Sequence, residues 1–176
     1  MGVRWLGRHA VASAIRSRPV GALRSLACSR LRALGPSTRL LVAFGVLMET
    51  VAAIFLGGGL GALARHFMNT FVMQIWHRDF PLGIMLVNIL GSFTMGVLVG
   101  LFAHAWSAPQ NIRAFLTVGI LGGFTTFSSF SLDTIMLFER GQYAQAGLYL
   151  FVSVGVSLGA LMLGMWLVRA VAVGNV

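Results

Sequence analysis

One stretch decides how this chain folds: Gly122-Gly123-Phe124-Thr125-Thr126-Phe127-Ser128-Ser129-Phe130. It lies in an apolar segment long enough to cross a bilayer, yet it combines two glycines, four hydroxyl side chains and three phenylalanines. Backbone that departs from a helix at membrane depth is tolerated only inside protein or beside a water-filled cavity. The stretch therefore predicts an interrupted membrane helix that lines a path for a small solute.

The composition places the chain among membrane proteins. It has 176 residues, of which 57% are hydrophobic and 10% charged, whereas a soluble domain carries about 25% charged residues. The net charge of +9 comes from arginines that precede Met48, because five arginines and four acidic residues follow, a balance of 5 − 4 = +1. A folded domain without a basic face is not a nucleic-acid binder. The single Cys28 excludes an internal disulfide and a cysteine-based metal site.

Residues 1–47 form an arginine-rich extension without any acidic residue. Their Arg, Ala, Ser and Leu content is typical of an organelle transit peptide. The alternative is a mis-assigned start, because Met48 stands immediately before the first credible span. We expect the extension to be disordered or loosely helical, and residues 48–176 to form one membrane domain.

Four windows have the roughly 20 apolar residues that a membrane helix needs. They are Val51–Ile75, Leu82–Ala105, Ile112–Phe138 and Ala144–Val171. Short connections predict antiparallel neighbours, so we expect an all-α membrane protein of four transmembrane helices with the third interrupted. Small residues four apart indicate close helix packing, within the chain or between two copies. These pairs are Gly57/Gly61, Gly58/Ala62, Gly96/Gly100, Gly155/Gly159 and Ala160/Gly164.

The loop arginines are balanced across the membrane. Arg113 and Arg169 fall on one side, and Arg78 and Arg140 fall on the other. Orientation follows an excess of such residues on the cytoplasmic side. A two-against-two balance predicts insertion in both orientations and an antiparallel, dual-topology homodimer.

Polar side chains follow helical spacing inside the second and fourth windows. Asn88 and Ser92 are four apart and share a face, and Tyr149, Ser153 and Ser157 form a hydroxyl stripe. The Asn88 amide has two N–H donors. It either faces a path or bonds a neighbouring helix.

The third window adds aromatic rings to these donors. Phe127 and Phe130 share a face and are interleaved with the hydroxyls of Thr126 and Ser129. An aromatic ring has a positive edge, and a ring edge holds an anion weakly, as conduction requires.

Two further features have a functional and a plain interpretation. The pair Gly122-Gly123 before Thr125 either frees backbone groups to bind an ion or produces a simple kink. Arg65 either reaches the headgroups or attracts anions to a vestibule. Asp133 is treated as a boundary charge that pairs with Arg65 or Arg140.

Three blocks resemble the CrcB/Fluc fluoride channel family, and the likeness runs from about Met48 to the C-terminus. The blocks are Gly57-Gly58-Gly59-Leu60-Gly61-Ala62-Leu63-Ala64-Arg65, then Pro81-Leu82-Gly83 leading to Val87-Asn88-Ile89-Leu90-Gly91-Ser92-Phe93, and the stretch Gly122–Phe130. The resemblance implies a multi-pass protein of the cell (inner) membrane. It also implies an antiparallel homodimer with two pores that exports fluoride passively.

The resemblance also implies roles for individual residues. Asn88, the phenylalanines Phe127 and Phe130 with the hydroxyls of Thr126 and Ser129, and the track Tyr149, Ser153 and Ser157 correspond to the fluoride pore, and Arg65 to the vestibule. The backbone carbonyls of Gly122 and Thr125 correspond to the site of a structural sodium ion. Ile84 stands where the family often has Thr, and Ser129 replaces a common Thr but keeps the hydroxyl.

The rival prediction is a small four-helix, proton-coupled multidrug antiporter. Proton coupling requires a carboxylate at depth in a substrate cavity, and the first, second and fourth windows contain no internal acid. An enzyme is not expected, because no nucleophile, base and orienting group come together. Fluoride as the solute follows from the family resemblance; the residues alone predict a path for a small ion.

Overall fold

The structure is a computed structural model that describes residues 35–76 and 80–173. Its helices are α1 (Pro36–Ile75), α2 (Leu82–His104), α3 (Gln110–Ala114), a π-helical segment (Phe115–Leu121), α4 (Gly122–Phe124), α5 (Phe127–Glu139) and α6 (Tyr143–Val173). Four stretches are long and apolar enough to cross a membrane: Pro36–Ile75, Leu82–His104, Gln110–Glu139 and Tyr143–Ala172. The predicted all-helical, four-span membrane protein is confirmed. The stretch Gln110–Glu139 is called the third span below.

The chain divides into two units, residues 1–47 and Met48–Val176. In the first unit the described part is helical from Pro36, where a proline suits the first helical turn because its missing N–H would have no partner there. Helix α1 therefore begins before the predicted start at Val51. The rest of the predicted extension, residues 1–34, lies outside the described residues, and its role as a transit-like segment or mis-assigned start stays a prediction.

Within the second unit, α2 and α6 pack closely through glycines. A Cβ placed on Gly96 would collide with the Leu161 carbonyl oxygen, and one on Gly100 would come within 2.9 Å of the Val168 Cβ. Lipid tails are as apolar as side chains, so membrane helices associate through close contacts of this kind. The predicted Gly96/Gly100 face thus packs within the chain, whereas a Cβ on Gly155 would meet nothing within 4 Å.

The first half of the third span packs closely against glycines of α1 in the same way. A Cβ on Gly57 would lie 2.7 Å from the Phe115 carbonyl oxygen, and one on Gly61 would collide with the Ile120 carbonyl oxygen. The third span is π-helical over this contact, and the Gly122 N–H is shared between the Gly119 and Thr117 carbonyls. Such wider turns are rare and occur mostly at functional sites.

Helical geometry stops at two residues in the middle of the third span. Thr125 has φ −77° and ψ 155°, and Thr126 has φ −151° and ψ 121°, so both are extended. Helix α5 then begins at Phe127, and the Thr126 Oγ1 accepts a hydrogen bond from the Ser129 N–H at 3.2 Å. This is the N-cap arrangement, in which a hydroxyl satisfies an amide that has no helical partner.

A small apolar core joins α2, α5 and α6. Its buried members are Ile84, Phe130, Leu137, Ala146 and Tyr149. Ile84 is 8% exposed, so the side chain that stands where the family often has Thr serves this core through apolar contacts. The core lies directly beside the interruption at Thr125 and Thr126, and it supports the cavity described next.

Candidate ion-conduction site

A cavity of about 450 Å³ opens between α2, the interruption in the third span, α5 and α6. The residues on its wall include predicted site residues from all four of these parts of the chain. The wall is made by Asn88, Gly91, Ser92, Met95, Thr125, Thr126, Phe127, Phe130, Ser153, Val154, Ser157, Leu158 and Leu161. None of these residues is ionisable, so the cavity wall combines neutral polar groups, phenylalanine rings and aliphatic side chains.

Asn88 holds the interruption through two hydrogen bonds. Its Nδ2 donates to the Thr126 carbonyl oxygen at 3.0 Å, and its Oδ1 accepts from the Thr126 N–H at 2.9 Å. The N–H of Thr126 can only donate, which fixes the orientation of the amide. Asn88 therefore bonds the third span and also lines the cavity, with one amide hydrogen left without a partner among the described residues. Its part in an ion path stays a prediction.

Two serines of α6 that line the cavity have unsatisfied hydroxyls. The Oγ atoms of Ser153 and Ser157 are buried and have no hydrogen-bond partner within the described residues. Ser153 is 4% exposed. A buried hydroxyl without a partner costs about 1–3 kcal/mol, and such groups in native proteins call for an explanation such as an ion or a water molecule. The pair is therefore suited to a ligand that accepts hydrogen bonds.

The two predicted phenylalanines meet at the start of α5. The ring centroids of Phe127 and Phe130 are 5.6 Å apart and the ring planes differ by 46°. Phe130 is 7% exposed, whereas Phe127 is 78% exposed. Phe130 therefore forms a fixed part of the wall, and Phe127 extends away from the rest of its own chain.

Three predicted residues lie near the cavity but not on its wall. Ser129 is engaged with Thr126, whose Oγ1 donates to the Ser129 Oγ at 3.2 Å. Tyr149 is 0% exposed and lies behind Phe130, with a centroid separation of 5.4 Å. Arg65 reaches the interruption from α1, where its Nη1 lies 3.5 Å from the Thr125 carbonyl oxygen. Their parts in conduction stay predictions.

The expected ion pairing of Asp133 is wrong. Its Oδ2 accepts a hydrogen bond from the Tyr149 hydroxyl at 3.3 Å. Arg65 instead contacts the Thr125 carbonyl oxygen.

Two carbonyls at the interruption lose their usual helical donors. The Thr126 N–H bonds Asn88 in place of the Gly122 carbonyl, and the Ser129 N–H bonds Thr126 in place of the Thr125 carbonyl. Unwound carbonyls of this kind coordinate sodium in membrane transporters. Gly122 and Thr125 thus offer carbonyl oxygens of the kind that sodium accepts, and a sodium ion at this position stays a prediction. Among residues 35–76 and 80–173 no cluster of three His, Cys, Asp or Glu side chains could hold a metal ion.

Sequence reasoning missed the apolar wall of α6. Val154, Leu158 and Leu161 line the cavity beside Ser153 and Ser157. Positions four and three residues apart share a helix face, so the serine spacing could have identified them. The hydrogen bond between Asp133 and Tyr149 was also missed; its signal was an acid three residues after Phe130 in a membrane window.

The fold and the cavity define a class: a polytopic helical membrane protein with a neutral, donor-lined cavity at an interrupted helix. The described wall of the cavity carries no carboxylate of the kind that proton coupling requires.

Comparison with known proteins identifies the family. The family model described as "CrcB-like protein, Camphor Resistance (CrcB)" matches residues 52–165 of this chain. A fluoride-specific ion channel FluC of Granulibacter bethesdensis is 46% identical over 127 residues, which cover 72% of this chain and 100% of the relative. Another from Rhodospirillum centenum is 48% identical over 122 residues, which cover 69% of this chain and 97% of the relative. The chain belongs to the CrcB family, as the sequence predicts, and these relatives are named as channels and not as enzymes.

Proposed function

We propose that this chain is a fluoride-specific ion channel of the cell (inner) membrane, which lets fluoride leave passively and so lowers its cytoplasmic concentration. The observation that carries the proposal is the pair of buried, unpartnered hydroxyls of Ser153 and Ser157 in the cavity. Fluoride as the solute is supported by the names of the relatives.

The cavity suits the replacement of water around a small anion. An ion that leaves water without compensating hydrogen bonds faces a prohibitive cost. Ser153, Ser157 and the free amide hydrogen of Asn88 supply donors, and the rings of Phe127 and Phe130 supply positive edges. Since no fixed cation lines the wall, the anion is held loosely enough to leave, as conduction requires.

The interrupted third span gives these donors their fixed positions. Asn88 ties α2 to the extended residue Thr126, and Thr126 caps α5. The N-terminus of α5, and with it Phe127 and Phe130, therefore has a fixed position relative to Asn88. We assign the interruption this functional role, with Thr126 and Ser129 as its hydroxyl support.

Two copies in antiparallel orientation complete the channel. Phe127 is 78% exposed and Gly155 and Gly159 face open space in the single chain. A large ring and a small-residue face of this kind suit helix association in lipid, and the balanced loop arginines support insertion both ways. Tags on either terminus should be accessible from both sides of the membrane; a single orientation would contradict dual topology.

A structural sodium ion would lie between the copies, held by the Gly122 and Thr125 carbonyls of each. The ion would supply positive charge at the interruption and join the two chains. The Arg65 guanidinium, 3.5 Å from the Thr125 carbonyl, has to share that oxygen or withdraw. Thermal dissociation of the purified dimer should occur at a higher temperature in NaCl than in KCl, and equal temperatures would remove sodium from the proposal.

The direct test measures halide release from liposomes. Purified protein should release trapped fluoride when a potassium ionophore dissipates the charge, and it should release chloride far more slowly. Protein-free liposomes give the background. Equal release of the two halides would refute a fluoride-specific channel, and no release of either would refute a channel.

A further inference from the structure

Asp133 is an acid in a membrane span that no step above uses. It belongs to α5, three residues after Phe130, and it is absent from the cavity wall. Its Oδ2 accepts the hydrogen bond of the Tyr149 hydroxyl at 3.3 Å. Polar and ionisable groups in membrane spans usually have a functional reason, and this one faces a residue that supports the cavity.

Tyr149 is held on three sides. The centroid of its ring lies 5.4 Å from that of Phe130 and 5.6 Å from that of Phe80, and the Phe80 and Tyr149 rings meet edge to face at 89°. Its hydroxyl is bonded to Asp133. Phe130 and Asp133 lie on one face of α5, so Tyr149 joins α6 to α5 at two points, once through the ring and once through the hydroxyl.

This two-point attachment sets the position of α6 across the cavity. Ser153 lies one turn after Tyr149 on α6, and both Ser153 and Phe130 line the cavity. A ring contact alone permits sliding, because aromatic stacking tolerates offsets. A hydrogen bond is directional, so the bond to Asp133 removes that freedom.

We propose that Asp133 is a positioning residue for conduction: by holding the Tyr149 hydroxyl, it fixes the distance between the Phe130 ring and the Ser153 hydroxyl across the cavity. The proposal rests on the proposed fluoride channel. Asp133 does not touch the ion. A carboxylate on the wall would repel an anion, whereas this one lies behind Phe130 and Tyr149.

A double-mutant cycle tests the proposal by fluoride release. Asp133→Ala should lower the flux about tenfold, within the roughly two- to hundredfold range of coupling between contacting residues. Tyr149→Phe should lower it by a similar factor, and the double variant should lose no more than either single one, because both remove the same bond. Multiplied losses would show two independent effects and overturn the proposal.

A conservative variant separates position from charge. Asp133→Asn keeps an oxygen that accepts from the Tyr149 hydroxyl, so its flux should stay within about threefold of the wild type. A loss as large as that of Asp133→Ala would assign the effect to charge and refute the positioning role. Glu139→Ala, which removes an exposed acid at the end of the same helix, is the matched control and should leave the flux unchanged.

A spectroscopic readout makes the test independent of flux. The chain has two tyrosines, so 3-fluorotyrosine labelling gives two ¹⁹F environments, and Tyr149→Phe assigns them. Asp133→Ala should shift or broaden the Tyr149 signal and leave that of Tyr143, which is 62% exposed and packs on Phe138, unchanged. Asp133→Asn should keep both signals in place. An unmoved Tyr149 signal in Asp133→Ala would refute the positioning role of Asp133, whatever the fluoride flux. Failure of the wild-type protein to release fluoride would refute the proposed function and would leave the ¹⁹F test of Asp133 valid.

Discussion

Asn88→Asp changes one atom of the side chain that holds the interruption and lines the cavity. The new oxygen replaces Nδ2, which donates to the Thr126 carbonyl at 3.0 Å, so two oxygens face each other and the carbonyl loses its donor. The bond from the Thr126 N–H to Oδ1 is kept. An unsatisfied buried carbonyl costs about 1–3 kcal/mol, which lowers stability without removing the fold.

The new negative charge of Asn88→Asp raises the free energy of an anion in the cavity by about as much as or more than the substitution costs in stability. A cavity of about 450 Å³ is roughly 9–10 Å across if treated as a sphere, so an ion at its centre lies roughly 5 Å from the wall. Two like charges at that distance repel by about 3 kcal/mol at an effective dielectric constant of about 20. Since each 1.4 kcal/mol corresponds to a factor of ten, we expect Asn88→Asp to slow fluoride release by roughly two orders of magnitude.

Liposome release measured with a fluoride electrode checks this expectation, and size-exclusion elution verifies that the variant remains assembled. Asn111→Asp is the matched control, because the Asn111 Oδ1 accepts an exposed hydrogen bond from the Ile112 N–H at the start of α3 and Asp retains that bond. Its flux should equal that of the wild type. Asn88→Asp flux within threefold of the wild type, from assembled protein, would show that the ion does not approach Asn88.

Three further outcomes follow from the cavity and the helix contacts. Ser153→Ala with Ser157→Ala removes both free hydroxyls and should lower fluoride release more than tenfold while raising the melting temperature slightly, because two unsatisfied buried groups disappear; unaltered release would show that the ion does not use them. Phe127→Ile should slow release without lowering the stability of the single chain, since the ring is 78% exposed; full flux in this variant would contradict the ring-edge contact. Gly96→Ala places a Cβ against the Leu161 carbonyl and should destabilise the protein by about 1–3 kcal/mol, whereas Gly147→Ala meets nothing within 4 Å and should not; equal melting temperatures would contradict the α2–α6 packing.

Helix number and span positions were predictable because they depend on hydropathy and length alone. The predicted windows Leu82–Ala105 and Ala144–Val171 differ from α2 and α6 by a few residues at most. The exception is α1, which begins at Pro36 and not near Val51. A hydropathy window covers only the length that a membrane span needs, whereas the helix itself extends towards the N-terminus through further Ala, Leu and Val residues as far as the proline.

The cavity was predictable in its residue types but not in its bonding. Helical spacing places Asn88 and Ser92 on one face and Ser153 and Ser157 on another, and all four line the cavity. The partner of the Asn88 amide is Thr126, an extended residue between two helices of the third span, and that contact depends on three-dimensional proximity that spacing does not encode. The same limit explains why Asp133 was assigned to an arginine and not to Tyr149.

The π-helical segment Phe115–Leu121 has a consequence for how this chain tolerates change in length. Each wide turn accommodates about one residue more than an α-helical turn, so the segment sets the angle at which everything after Leu121 faces its neighbours. Removing one residue there would close a wide turn to an ordinary one and leave the downstream half of the span facing nearly the same direction, whereas a deletion inside a regular α-helix rotates everything after it by roughly 100°. A one-residue deletion in the segment would therefore disrupt the protein less than the same deletion in α2 or α6.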